Sequence, residues 1–233
     1  MKRKHFNILW TLVLCYIFFL GCSSDDNNGI VFNYQSSEFE VSFRSEGVIP
    51  KPTIEWPNEA GTFSLKNEVY GLSINETTGE IQWERYLDIG DHQVTVLAEN
   101  NGQTWETQFL LTSTLSSAFW SGGQNNDIDS NDIDTDRYFE FFQDGTLTVQ
   151  IYGSPDSKGV GIWEISGDEI EIRSCTYCED LDPFTIPQYD EHIYYKGTLF
   201  NEMSKAYVSG QWYRVDIDPD VTTLRGNFYL EWD

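Results

Sequence analysis

Alternation with a period of two runs through most of the chain and limits its fold more than any other feature. Val94, Val96 and Ala98 alternate with Thr95 and Glu99, and Trp105, Thr107, Phe109 and Leu111 alternate with Glu106 and Gln108. Phe39, Val41 and Phe43 alternate in the same way with Glu38, Glu40, Ser42 and Arg44. Successive side chains of a strand point to opposite faces, so this pattern buries one face and wets the other. No segment after Cys22 carries a long apolar face at the helical repeat. Between the strand patterns lie turn residues: Asn100-Asn101-Gly102 supplies residues that tolerate positive φ and predicts a hairpin. The expected class is all-β.

Composition decides whether such strands fold. The formal net charge is −24 and aromatic residues make up 15% of the chain. A disordered acidic chain carries few aromatics, so the aromatic content predicts a packed protein. The charge repels nucleic acid and anionic lipid headgroups, and suits solubility, divalent cations or basic partners.

The first residues read as a targeting segment. Lys2, Arg3 and Lys4 precede an apolar stretch of about 15 residues, Phe6 to Leu20, which is short for a membrane span. The run Phe19-Leu20-Gly21-Cys22 resembles the bacterial lipobox. That resemblance implies removal of residues 1–21 and a diacylglycerol on the sulfur of Cys22. Residues 22–29 would then form the lipidated cysteine and an acidic tether. Ser23-Ser24-Asp25-Asp26-Asn27-Asn28 also resembles the export signal of Bacteroidetes surface lipoproteins, which implies an outer-membrane protein exposed at the cell surface.

Two domains are expected, 30–114 and 118–233, joined by small residues from Ser113 to Ser117. In the first, Gly71-Leu72-Ser73-Ile74-Asn75-Glu76-Thr77-Thr78-Gly79-Glu80-Ile81 resembles a signature of Ig-like, cadherin-like repeats in bacterial surface proteins. It implies a β-sandwich with Leu72, Ile74 and Ile81 facing inward. Gln82-Trp83-Glu84-Arg85 stands where that family usually has Gly-Thr-Pro. In the second domain, about eight short strands follow one another with Gly-containing turns, which predicts an up-and-down barrel or a sandwich. Trp120-Ser121-Gly122, Phe142-Gln143-Asp144-Gly145-Thr146, Gly161-Ile162-Trp163-Glu164-Ile165-Ser166-Gly167-Asp168, Tyr195-Lys196-Gly197-Thr198 and Gly226-Asn227-Phe228 resemble phrases of lipocalin-like domains in bacterial lipoproteins. The resemblance implies an antiparallel meander barrel, with the strand ending at Trp232 closing against the first.

Three groups of residues are candidates for chemistry. Asp127, Asp129, Asp132 and Asp134 lie in a near-repeat, Asn-Asp-Ile-Asp-Ser/Thr, and can direct several oxygens at a hard cation such as Ca²⁺. The spacing is not that of an EF-hand, and a solvated acidic loop is the simpler reading. Cys175 and Cys178 form a C-x-x-C that reads as a local disulfide, as half a zinc site, or as a redox dithiol. Neighbouring carboxylates would raise the thiol pKa, which disfavours a reactive thiolate. A zinc site wants further ligands, and after the segment 1–21 the only histidines are His92 and His192.

The third group is aromatic. Adjacent pairs such as Phe141-Phe142, Tyr194-Tyr195 and Trp212-Tyr213 must split, one member inward and one outward. Trp163, Tyr195 and Trp212 are the candidate ligand-binding residues. Rings near Asp, Asn and Gln suit a sugar face, and a hollow barrel suits a small apolar ligand.

Enzymatic signatures are missing: no G-x-S-x-G, H-E-x-x-H, phosphate loop or dinucleotide fingerprint occurs. A pair of carboxylates for glycoside hydrolysis stays open. The expected role is a non-catalytic binding module for a glycan or small ligand. The alternative is an accessory envelope protein that contacts only other proteins.

Overall fold

The computed structural model describes residues 30–115, 118–133, 135–154, 158–176, 178, 192–215 and 222–232. Cys22, its tether and Asp134 lie outside the described residues. All regular structure among the described residues is strand.

The first domain contains β1 (Phe32–Asn33), β2 (Glu38–Ser42), β3 (Gly47–Ile49), β4 (Thr53–Ile54), β5 (Thr62–Leu65), β6 (Leu72–Ile74), β7 (Ile81–Trp83), β8 (Gly90–Asn100) and β9 (Gln103–Thr114). A four-stranded sheet runs β2-β9-β8-β5, a three-stranded sheet runs β3-β7-β6, and β1 pairs with β4. The long hairpin β8–β9 turns at Asn101 and Gly102, with φ of 49° and 77°. Glycine and asparagine tolerate that left-handed region, which is why this tripeptide makes the turn. β2 adds to the far side of β9 in parallel. Ile81, Val96 and Leu111 are wholly buried between the sheets, with Phe63, Trp105 and Phe109 around them. Leu72 and Ile74 pack on that core, as the alternation predicts.

The second domain contains β10 (Ala118–Gln124), β11 (Thr135–Phe141), β12 (Thr146–Ile151), β13 (Lys158–Ser166), β14 (Glu169–Thr176), β15 (His192–Asn201), β16 (Ala206–Val215) and β17 (Thr222–Trp232). Each pairs antiparallel with the next, and β17 returns to β10 from Trp120↔Trp232 to Gln124↔Phe228, closing the barrel. Closure leaves no unpaired edge to recruit another chain. The adjacent aromatic pairs split as expected: Phe141, Tyr195 and Trp212 are buried, while Phe142, Tyr194 and Tyr213 are only partly covered.

The interior is filled with rings. Trp120, Phe139, Phe141, Tyr195 and Phe228 are each 2% exposed or less. Phe139 contacts Phe141 at 6.2 Å and Tyr195 at 5.5 Å between centroids, and Tyr195 contacts Phe228 at 5.1 Å. Edge-to-face and offset contacts of this kind add to the burial of each ring.

One end of the barrel is stoppered by the first domain. Phe43 follows β2 yet packs with the barrel core, with its ring 6.2 Å from Trp120 and 5.5 Å from Trp232. Ile89 and Leu115 pack there too. Arg44 donates to Asn201 Oδ1 at 3.1 Å and to the Glu202 carbonyl at 2.6 Å, while Asn201 donates to the Leu87 carbonyl at 3.0 Å. By packing, Phe43 therefore belongs with the barrel, although by sequence it lies well inside residues 30–114.

Candidate binding surface and the polar barrel end

The three expected ligand residues do not form one site. Trp163 lies at the stoppered end, where its indole N–H reaches the carbonyls of Phe142 and Thr146, each at 3.0 Å. Tyr195 and Trp212 face each other across β15 and β16 near the opposite end. The Tyr195 hydroxyl donates to Gln124 Oε1 at 2.8 Å, and the Trp212 indole N–H donates to the Asn125 carbonyl at 2.5 Å. Arg137 and Ser174, both nearly buried, stand beside the Tyr195 hydroxyl. Burial pushes the Tyr195 phenol up to about 12. The polar atoms of all three aromatic residues are thus engaged in holding the barrel together.

The acidic loop is organised by amides. Asn125, 2% exposed, donates to the carbonyls of Ser130 and Asp132 at 2.7 and 2.9 Å. Its Oδ1 accepts the N–H of Asn227 at 2.9 Å and that of Asp127 at 3.2 Å. Asn227 Nδ2 in turn donates to the carbonyls of Ser130 and Ile128 at 2.8 and 3.1 Å. Asn125 lies so close to Gly226 that a Cβ there would strike its carbonyl oxygen. The Asp127 carboxylate accepts the Asp129 N–H at 2.9 Å. Asp127, Asp129 and Asp132 are exposed, and among the described residues their carboxylates do not converge as a three-ligand group.

Cys175 and Cys178 are joined as a disulfide, with Cα atoms 5.5 Å apart. His192 pairs with Cys175 across β14 and β15. Its buried Nε2 has no hydrogen-bond partner among the described residues. Desolvation lowers its pKa, which favours the neutral imidazole.

A second aromatic group lies on the outer wall of the barrel. Phe200, Tyr207 and Tyr229 stack in a ladder across β15, β16 and β17, with centroids 4.7 and 5.4 Å apart and planes 14° and 26° from parallel. These separations make the rings offset, and Tyr207 and Tyr229 are half-buried. Phe200 is 38% exposed, and Met203 in the adjoining turn is 67% exposed. The Lys205 ammonium lies 4.5 Å from the Tyr207 ring centre and 3.2 Å from the Tyr229 hydroxyl. Tyr229 donates to Glu231 at 2.5 Å and Tyr207 to Glu202 at 3.3 Å. The Tyr229 hydrogen bond raises the Lys205 pKa, keeping the ammonium charged.

Sequence reasoning selected inward rings and missed this ladder. Its signal was nevertheless present, because Phe200, Tyr207 and Tyr229 are each out of phase with the buried Leu199, Val208 and Leu230.

No family model and no curated protein matches the chain. Among solved structures, similarity extends to a quinonprotein alcohol dehydrogenase-like protein from Bacteroides thetaiotaomicron. The identity is 9%, the coverage 83% of this chain and 71% of that one, and the TM-score 0.27. A likeness at that score carries no argument about fold or activity.

Proposed function

We propose that this chain is a lipid-anchored, cell-surface protein of the outer membrane whose barrel domain binds a glycan on its outer wall without catalysis. The observation that carries the reading is the outward-facing ladder Phe200–Tyr207–Tyr229, exposed at Phe200 and half-buried at Tyr207 and Tyr229, with Lys205 over the Tyr207 ring. A sugar ring presents a face of C–H groups and a rim of hydroxyls. Offset rings meet the first, while the Lys205 ammonium and the carboxylates of Glu202 and Glu231 meet the second. The packed interior disfavours the small apolar ligand that a hollow barrel would hold.

The anchor and location rest on the sequence around Cys22 and Ser23–Asn28. The first domain, docked through Phe43 and Arg44, would hold the barrel away from the membrane as one piece.

Contact with another envelope protein is the second reading, favoured by the exposed Met203 beside Phe200. Affinity electrophoresis through gels containing different polysaccharides separates the two. Retardation by one polysaccharide class, lost in Tyr229→Ala, supports glycan binding. Unretarded migration in every gel, with a partner crosslinked through position 203 on intact cells, supports the protein contact and rejects the glycan.

A further inference from the structure

The fold brings His192, a borderline metal ligand, to the two sulfurs of the C-x-x-C. The ligand atoms of Cys175, Cys178 and His192 all lie within 4.8 Å of one another, the one such group of three among the described residues. Cys175 and His192 are directly opposed across β14 and β15, so the sheet fixes two of the three positions. Cys178 lies two residues beyond the end of β14. The His192 Nε2 is buried and lacks a hydrogen-bond partner among the described residues, which is costly for a polar atom unless something else meets it. Zinc binds thiolate sulfur at about 2.3 Å and imidazole nitrogen at about 2.0–2.1 Å, in tetrahedral geometry. Ligand atoms around such a centre lie roughly 3.3–3.8 Å apart, so only a small opening of the sulfur pair is needed.

We propose that Cys175, Cys178 and His192 form a redox-gated site for a thiophilic divalent cation of the zinc class, closed while the cysteines are a disulfide and opened by their reduction. The opening step takes two electrons and two protons from a dithiol reductant. The S–S bond breaks, two thiols form, and the reductant becomes a disulfide. The cation then displaces the two thiol protons, binds both sulfurs and the imidazole nitrogen, and keeps a fourth position for water. A disulfide oxidant reverses the sequence: the two sulfurs pass two electrons to it, their S–S bond reforms, the oxidant leaves as a dithiol that takes up two protons from water, and the cation departs. In either state the C-x-x-C segment is tied off at this end of the barrel, by its own disulfide or through the cation to β15.

The test is absorption spectroscopy with Co²⁺ as the probe, on the purified protein before and after treatment with a phosphine reductant. Unreduced protein is expected to give no thiolate-to-cobalt charge-transfer band. Reduced protein is expected to bind one Co²⁺ per chain with that band and with the intense visible bands of a tetrahedral centre, and Zn²⁺ is expected to bleach both. His192→Ala is expected to weaken the site about tenfold or more, since even outer-shell partners cost 10–100-fold. Cys178→Ser, whose barrel strands are untouched, is expected to lose most of the charge-transfer band. The proposal is overturned if reduced protein shows no band, if His192→Ala binds Co²⁺ as the unaltered protein does, or if the disulfide resists reduction while the barrel stays folded. Circular dichroism of unreduced His192→Ala establishes that a loss reflects the ligand and not the fold.

Discussion

Phe43 of the first domain lies against Trp120 of the barrel, with ring centroids 6.2 Å apart and planes 10° from parallel. A residue from one domain thus completes the core of the other. Arg44 beside it holds a left-handed φ of 62°, a conformation uncommon for a residue with a side chain, and donates across the junction to Asn201 and Glu202.

The junction predicts coupled unfolding. Phe43→Ala leaves a void against Trp120 and Trp232 and is expected to cost about 3–5 kcal/mol. Calorimetry should show one transition for the unaltered protein and two for the variant, with the barrel's the lower. A single, unshifted transition in the variant would show that the domains melt independently of this contact.

The buried phenol gives a pH prediction. An unfolded tyrosine ionises near pH 10, whereas Tyr195 is pushed up to about 12. The folded state therefore holds its proton where the unfolded state releases it. Stability from this group is complete below pH 10 and falls as pH rises from 10 through 12. Tyr194, partly desolvated and bonded to Glu171, is also pushed up to about 12 and acts in the same direction. Tyrosinate absorbance from the buried ring should appear together with loss of near-ultraviolet dichroism. Ionisation of every tyrosine near pH 10 with the fold intact would contradict the burial.

Removing the Tyr195 hydroxyl strands its partner. Tyr195→Phe is expected to destabilise by about 1–3 kcal/mol in urea unfolding, because Gln124 loses a buried donor. An unchanged midpoint would mean that the Gln124 contact contributes nothing.

The acidic loop should depend on Asn125 more than on a cation. Asn125→Ala removes two donors and an acceptor that hold the backbone of residues 127–132, and about 1–3 kcal/mol is expected to go with each buried group left unpaired. Melting temperature should be the same in Ca²⁺ and in chelator. A higher value in Ca²⁺ would return Asp127, Asp129 and Asp132 to the role of ligands.

Local features of the fold were legible in the sequence because they depend on neighbours along the chain. The Asn101-Gly102 turn follows from φ preference, and the splitting of Trp212-Tyr213 into one inward and one outward ring follows from alternation. The closing strand to Trp232, which the lipocalin-like resemblance implied, pairs with β10 as expected. What it could not show depends on register between distant strands. Phe43 continues the pattern of Val41, and nothing local says that its ring packs with the barrel core while its backbone stays paired to β9. His192 and Cys175 are opposed only because β14 and β15 pair as they do. Phe200, Tyr207 and Tyr229 are three separate outward residues until three strands align them. Trp163 and Trp212 looked equivalent as candidates, yet their indole nitrogens meet carbonyls at opposite ends of the barrel.

The central claim is that the outer wall, rather than the barrel interior, holds the ligand. Calorimetric titration with the polysaccharide that retards the protein tests it most directly, comparing Tyr229→Ala with Tyr195→Phe. The account predicts that Tyr229→Ala loses binding at least tenfold with little change in melting temperature, while Tyr195→Phe binds normally although it is less stable. Normal binding by Tyr229→Ala, with binding lost in a folded Tyr195→Phe, would place the ligand at the polar end of the barrel and contradict the account.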